Sequence, residues 1–133
     1  MKEIGNGKLT GKGVYRWADG NSYEGDCVND TRTGRGVYRY ANGNSYEGDY
    51  VNGKRAGRGV YRYANGNSYE GDFLDEKMAT GQMFLADLNL NLAAEFSGGD
   101  TIVDGYMLYR LVLKNSDGTF VYREGDFSNG KFV

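Results

Sequence analysis

The chain has 133 residues, including 22 Gly and 12 Tyr, with no Pro, no His and a formal net charge of −2. That is one domain's worth of sequence. Without His there is no imidazole acid–base group and no ordinary Ser-His-Asp or Cys-His arrangement. The nearly balanced charge does not fit a nucleic-acid-tracking surface.

The first segment, Met1-Lys2-Glu3-Ile4-Gly5-Asn6, lacks the apolar stretch of a signal peptide, and no run of eighteen apolar residues follows it. The expectation is an intracellular protein, cytoplasmic or peripheral to a membrane. A single Cys makes no internal disulfide.

Residues 34–49, Gly-Arg-Gly-Val-Tyr-Arg-Tyr-Ala-Asn-Gly-Asn-Ser-Tyr-Glu-Gly-Asp, recur unchanged at 57–72, and a close copy stands at 11–26. A short fixed period marks units that bury their apolar faces only by stacking on one another. Regularly spaced aromatic residues supply a core that a glycine-rich disordered tail would lack.

Within each copy a β-rich run meets Asp19-Gly20, Asn42-Gly43 or Asn65-Gly66, a strong hairpin signal. Further turn signals close the units at Asn6-Gly7, Asn29-Asp30 and Asn52-Gly53. With a loop of Asn42, Gly43 and Asn44, Tyr40 is expected opposite Tyr46, Tyr38 opposite Gly48 and Arg39 opposite Glu47. One face then gathers the tyrosines, and the other pairs opposite charges. Trp17 shares the position of Tyr40 and Tyr63, which marks it as a packed ring. Cys27 shares that of Tyr50 and Phe73 and reads as a small apolar filler.

Gly34-Arg35-Gly36-Val37-Tyr38 and Tyr46-Glu47-Gly48, with their copies, resemble the MORN repeat. The resemblance covers residues 5–73. It implies an all-β, single-layer, solenoid-like stack of antiparallel β-hairpins with an aromatic, glycine-lined groove. It also implies non-catalytic work: scaffolding, dimerisation or association with membrane lipids.

Residues 1–73 are thus three regular repeats. Residues 74–133 continue the same stack as degenerate repeats, forming a C-terminal cap or docking segment. There, Gly81-Gln82-Met83 and Gly105-Tyr106-Met107 stand where Gly-x-Gly-x-Tyr belongs, with Met83 and Met107 in the second glycine position. Asp117-Gly118 and Glu124-Gly125-Asp126-Phe127 suggest the closing half of a further unit. Residues 84–92 alternate apolar and polar, as a half-buried strand does; a helix through Leu85, Leu88, Leu92 and Phe96 is the other reading.

No catalytic residue, cofactor or metal site is expected. The carboxylate pairs Glu24/Asp26, Glu47/Asp49 and Glu70/Asp72 recur identically beside arginines, as structural ion pairs do. Gly98-Gly99-Asp100 with Asp104-Gly105 reads as a polar hairpin turn more readily than as a calcium loop.

Three binding readings remain. The first is association with a protein partner or with itself, including a homodimer through the C-terminal edge near Phe127. The second is anionic lipid bound by basic ladders: Lys12, Arg35 and Arg58; Arg16, Arg39 and Arg62; and Lys8, Arg32 and Arg55 beside them. The third is a groove for peptide, quaternary ammonium or carbohydrate ligands on Tyr15, Trp17, Tyr23, Tyr38, Tyr40, Tyr46, Tyr61, Tyr63 and Tyr69. The plain alternative to the third is that these rings are the core.

Overall fold

In a computed structural model, residues 2–3 and 10–133 are described. They form twelve strands and no helix: β1 Lys2–Glu3, β2 Gly11–Arg16, β3 Ser22–Val28, β4 Thr31–Arg39, β5 Ser45–Val51, β6 Lys54–Arg62, β7 Ser68–Leu74, β8 Lys77–Leu85, β9 Leu90–Val103, β10 Tyr106–Lys114, β11 Phe120–Ser128 and β12 Lys131–Phe132. All lie in one sheet in chain order. The short β1–β2 contact is parallel and the repeat hairpins pair antiparallel, as the repeat pattern requires. The expected turn at Asn6-Gly7, and Lys8, lie outside the described residues.

Each repeat hairpin turns through three residues. Tyr40 N–H donates to the Asn44 carbonyl at 2.9 Å and Gly43 N–H to the Tyr40 carbonyl at 3.1 Å. Gly43 adopts φ 95°, the left-handed conformation that this loop type assigns to glycine. The loop is therefore Ala41-Asn42-Gly43, one residue earlier than expected. Tyr38 lies opposite Tyr46, Val37 opposite Glu47 and Arg39 opposite Ser45, which corrects the expected partners by two residues. An even shift leaves every side chain on its face, so the tyrosine face survives while the Arg39–Glu47 contact does not.

Between hairpins the chain reverses at Asn29-Asp30, Asn52-Gly53, Asp75-Glu76, Asp104-Gly105 and Asn129-Gly130, each with two consecutive positive φ values. This is the two-residue turn whose twist matches the strands it joins.

Across the tyrosine face runs one continuous row: Tyr15, Tyr23, Tyr38, Tyr46, Tyr61, Tyr69, Met83 and Leu92, each paired with the next. Beside it runs a glycine row that includes Gly25, Gly36, Gly48, Gly59, Gly71 and Gly81. Gly81 faces Gly71, so it holds the second glycine position and Met83 holds a tyrosine position, contrary to the assignment from sequence. In the next unit Arg110 pairs with Asp126 and Leu111 with Gly125. By analogy with Arg35–Asp49 and Gly36–Gly48, Leu111 and not Met107 replaces the second glycine. Residues 84–92 form neither one strand nor a helix, since β8 ends at Leu85 and a turn leads into β9 at Leu90.

Past the regular repeats the sheet folds back over its own tyrosine face. Gly98 and Gly99, at φ 84° and 83°, open a bulge where the β9–β10 register jumps between Thr101↔Leu108 and Gly98↔Tyr109. The β9–β10 tip then reaches Asn42, whose amide donates to the Tyr106 hydroxyl. Asn65 and Asn67 donate to the Gly130 carbonyl at 3.0 and 2.8 Å, and Tyr63 packs on Phe127. Leu111, Leu113, Ala94 and Phe127 are buried in this fold-back. Bulky residues where the repeats have glycine thus fill the groove at this end. The Gly98-Gly99-Asp100 segment is a strand bulge, and only Asp104-Gly105 is the hairpin turn.

Candidate partner-binding face

The rings proposed for a groove divide into two sets. Tyr23, Tyr46 and Tyr69 are fully buried. Their hydroxyls donate to the carbonyls of Asp26, Asp49 and Asp72 at 2.8, 2.8 and 2.7 Å, and the rings occupy the space left open by the glycine row. Burial raises all three phenols, Tyr46 and Tyr69 to about 12. These rings are core.

Tyr61 and Tyr63 are also buried, and with Tyr40 they line a cavity of about 210 Å³ under the β9–β10 tip, which Arg55, Met107 and Tyr109 help to close.

The other set is Tyr15, Trp17 and Tyr38. Trp17 stacks between Tyr15 and Tyr38, with ring centroids at 5.2 and 5.4 Å, and remains 37% exposed. It is packed, as expected, but it also presents a broad ring edge to solvent. Tyr15 and Tyr38 are half-buried, and the Tyr15 hydroxyl donates to the Asp30 carbonyl at 2.6 Å. Among the described residues, the fold-back contacts the face at Asn42, Asn44, Tyr63, Asn65 and Asn67, and none of these contacts reaches Tyr15, Trp17 or Tyr38.

Two arginines from the expected surface set lie within the aromatic face. Strand pairing places Arg32 opposite Cys27 and Arg55 opposite Tyr50, so their side chains share the face of those core positions. The guanidinium of Arg32 lies 5.1 to 5.7 Å from the rings of Tyr23, Tyr38 and Tyr50. That of Arg55 lies 5.2 to 5.9 Å from Tyr46, Tyr61 and Phe73. Burial pulls the Arg55 pKa down, but Tyr40, Glu76 and Tyr61 more than offset it and hold the group above its usual value. The alternation within Thr31–Arg39 and Lys54–Arg62, taken with the turn positions, carried this signal.

The ladder Lys12, Arg35 and Arg58 sits on the opposite face, each residue ion-paired across its hairpin: Lys12–Asp26 at 2.5 Å, Arg35–Asp49 at 3.2 Å and Arg58–Asp72 at 3.3 Å. Arg110–Asp126 at 2.6 Å extends the series. Asp26 is held below the usual carboxylate range by Lys12 and then by the Arg35 N–H. Arg16, Arg39 and Arg62 lie opposite Ser22, Ser45 and Ser68 rather than the glutamates. Glu47 instead stands between Val37 and Val60.

Cys27 is buried, and burial raises its thiol, which suits its reading as filler. Asp100 pairs with Lys77, and among the described residues no cluster of three potential metal ligands forms. No described helix is long and apolar enough to cross a membrane. Phe127 packs against Tyr63, Phe96 and Phe132; it is a core residue, so a substitution there reports on folding before it reports on any edge contact.

Among known families, the MORN repeat model matches residues 5–22, 23–45 and 46–68. No curated protein matches the chain.

Proposed function

Since the chain belongs to the MORN-repeat family through residues 5–68, and such repeats commonly serve as interaction or membrane-association modules, we propose that it is a non-catalytic module that binds a partner protein on its open aromatic stretch. The observation that supports this reading most is Trp17, stacked between Tyr15 and Tyr38 yet 37% exposed. Aromatic rings held rigid by neighbours make good interface anchors, because they bury large area with little further loss of side-chain freedom.

The rest of the face supports the same reading by contrast. One repeat further along, the equivalent surface is already occupied by the protein's own β9–β10 tip, with Tyr106 and Met107 against Asn42 and Arg55. An extended, apolar segment is therefore the kind of object this face accepts.

The lipid reading loses support from the Lys12–Asp26, Arg35–Asp49 and Arg58–Asp72 pairs. A paired ladder offers an anionic leaflet much less than the roughly 1 kcal/mol per free basic residue. Self-association through the C-terminal edge loses support because Phe127 is buried and β12 has only two residues.

Trp17 is the sole tryptophan, so its fluorescence reports directly on occupancy. Linear peptides selected for binding to the whole chain should shift that emission and lose affinity when Trp17 is replaced by Ala, measured at a temperature where circular dichroism shows the variant still folded. Salt-resistant flotation on phosphatidylserine vesicles, lost on reversing Lys12, Arg35 and Arg58, would overturn the reading.

A further inference from the structure

Arg32 and Arg55 occupy equivalent positions in successive repeats, inside equivalent cages of three rings. What meets their N–H groups differs. Arg55 Nε lies 2.7 Å from Glu76 Oε1, and its Nη2 donates to the Glu76 carbonyl at 2.8 Å. Its Nη1 donates to the Tyr40 hydroxyl at 3.4 Å, and the Met107 sulfur lies 4.0 Å from Nη2. One repeat earlier, Gly53 stands where Glu76 would be and Trp17 where Tyr40 would be. Arg32 Nη2 donates to the Gly53 carbonyl at 3.0 Å, while its Nε is buried without a hydrogen-bond partner. Among the described residues Arg32 forms no ion pair. Asp30, nearby, adds negative field at Tyr15 and Cys27 and has an interaction of its own.

A guanidinium is a planar fork that matches a carboxylate, and an unmet buried donor is costly to leave unmade. The ring cage holds the cation in place but supplies no acceptor. In the third repeat the chain supplies that acceptor itself, together with an apolar cover. In the second repeat the same cage offers Arg32 only the Gly53 carbonyl, and it lies beside the exposed Trp17.

We propose that Arg32 is the receptor for a carboxylate on a partner protein: an Asp or Glu side chain within an extended, otherwise apolar segment lying along Trp17 and Tyr38. This rests on the face being protein-binding and specifies its ligand. The apolar walls, and the peptide nature of what covers Arg55, favour such a segment over a lipid phosphate.

The molecule also provides a way to close the site. A Cβ at Gly53 would have Thr31 Cγ2 as its nearest neighbour, at an ordinary 3.6 Å. Glu76 shows that glutamate occupies this turn position at φ 80°, close to the 82° of Gly53. Gly53→Glu should therefore place a carboxylate on Arg32 as Glu76 does on Arg55.

The test is to select displayed linear peptides on the intact chain and measure their affinities for four proteins: the parent, Gly53→Glu, Arg32→Gln and the outer-face control Arg35→Gln. The expected result is enrichment of Asp or Glu, and a loss of roughly tenfold or more in both Gly53→Glu and Arg32→Gln. Arg35→Gln should bind as the parent does, and Gly53→Glu should be no less stable than Gly53→Ala, which carries the same left-handed backbone strain without a carboxylate. Peptides that lack acidic residues, or that bind Gly53→Glu as well as the parent, would overturn the assignment of Arg32. If such peptides still shift Trp17 emission, the protein-binding reading stands and only the carboxylate receptor falls. Failure to select any binder overturns the proposal, as does Arg32-dependent binding to phosphatidylserine vesicles without acidic peptides.

Discussion

Tyr46 lies across Gly59: a Cβ on that glycine would stand 2.5 Å from ring carbon Cε1. The same ring crowds Gly48, and its hydroxyl is fixed on the Asp49 carbonyl at 2.8 Å. The tyrosine of each Tyr-Glu-Gly triplet, the glycine of that triplet and the second glycine position of the next unit thus form one packing unit.

Gly59→Ala should therefore destabilise the fold by roughly 1–3 kcal/mol, the cost of overpacking a tight interior. Thermal unfolding checks this. A variant that melts with the parent would mean that the ring has room to move and that the glycine row is not set by packing.

Alkaline pH should unfold the protein through these same rings. Burial raises Tyr46 and Tyr69 from an ordinary 10 to about 12, because the folded state disfavours the phenolate. Their contribution is complete below about pH 10 and is lost as pH rises from 10 through 12. The urea midpoint should be flat up to pH 10 and then fall, with phenolate absorbance rising alongside. A midpoint unchanged at pH 12 would count against buried phenols.

Asp49 and Arg35 form an ion pair at 3.2 Å, but Asp49 also accepts the Arg58 N–H at 3.2 Å beside Gly57. The two partners should not be equivalent. Arg35→Ala removes an exposed salt bridge and should cost under about 1 kcal/mol. Asp49→Ala also leaves a backbone donor unmet and should cost roughly 1–3 kcal/mol. Equal losses in chemical denaturation would show that the backbone contact contributes little.

Phe127 joins the fold-back to the repeats through Tyr63 and Phe96. Phe127→Ala should cost about 3–5 kcal/mol and should raise hydrogen exchange in β10 and β11 before β4 and β5. Uniform acceleration across all strands would show that the repeats and the C-terminal strands unfold as one unit.

Cys27 is buried, and its thiol is raised by that burial. A thiol-reactive dye at neutral pH should label it only as fast as the protein opens, with the rate rising steeply across the denaturant transition. Rapid labelling of the native protein would mean that this end of the sheet is loose.

The repeat determined the local structure by itself. Asn42-Gly43 and Asn52-Gly53 define turns because glycine takes the left-handed conformation that each turn places at its last position. The alternation of Tyr38, Tyr40 and Tyr46 fixes a face that even a two-residue register error cannot scramble. Identical units also dictate stacking, since none buries its rings alone.

What sequence left open depends on packing between residues far apart in the chain. Turn geometry, rather than charge pairing, set Tyr38 opposite Tyr46, so the expected Arg39–Glu47 contact yielded to Arg35–Asp49. Gly98 and Gly99 admit a bulge, but nothing local says that the strands beyond it will bend over Tyr63. The difference between Arg32 and Arg55 is likewise a tertiary fact: it appears only when each arginine is seen against the next repeat's turn, where Gly53 offers a carbonyl and Glu76 adds a carboxylate. The residue at that turn, glutamate or glycine, separates the caged arginine whose Nε is met from the one whose Nε is not.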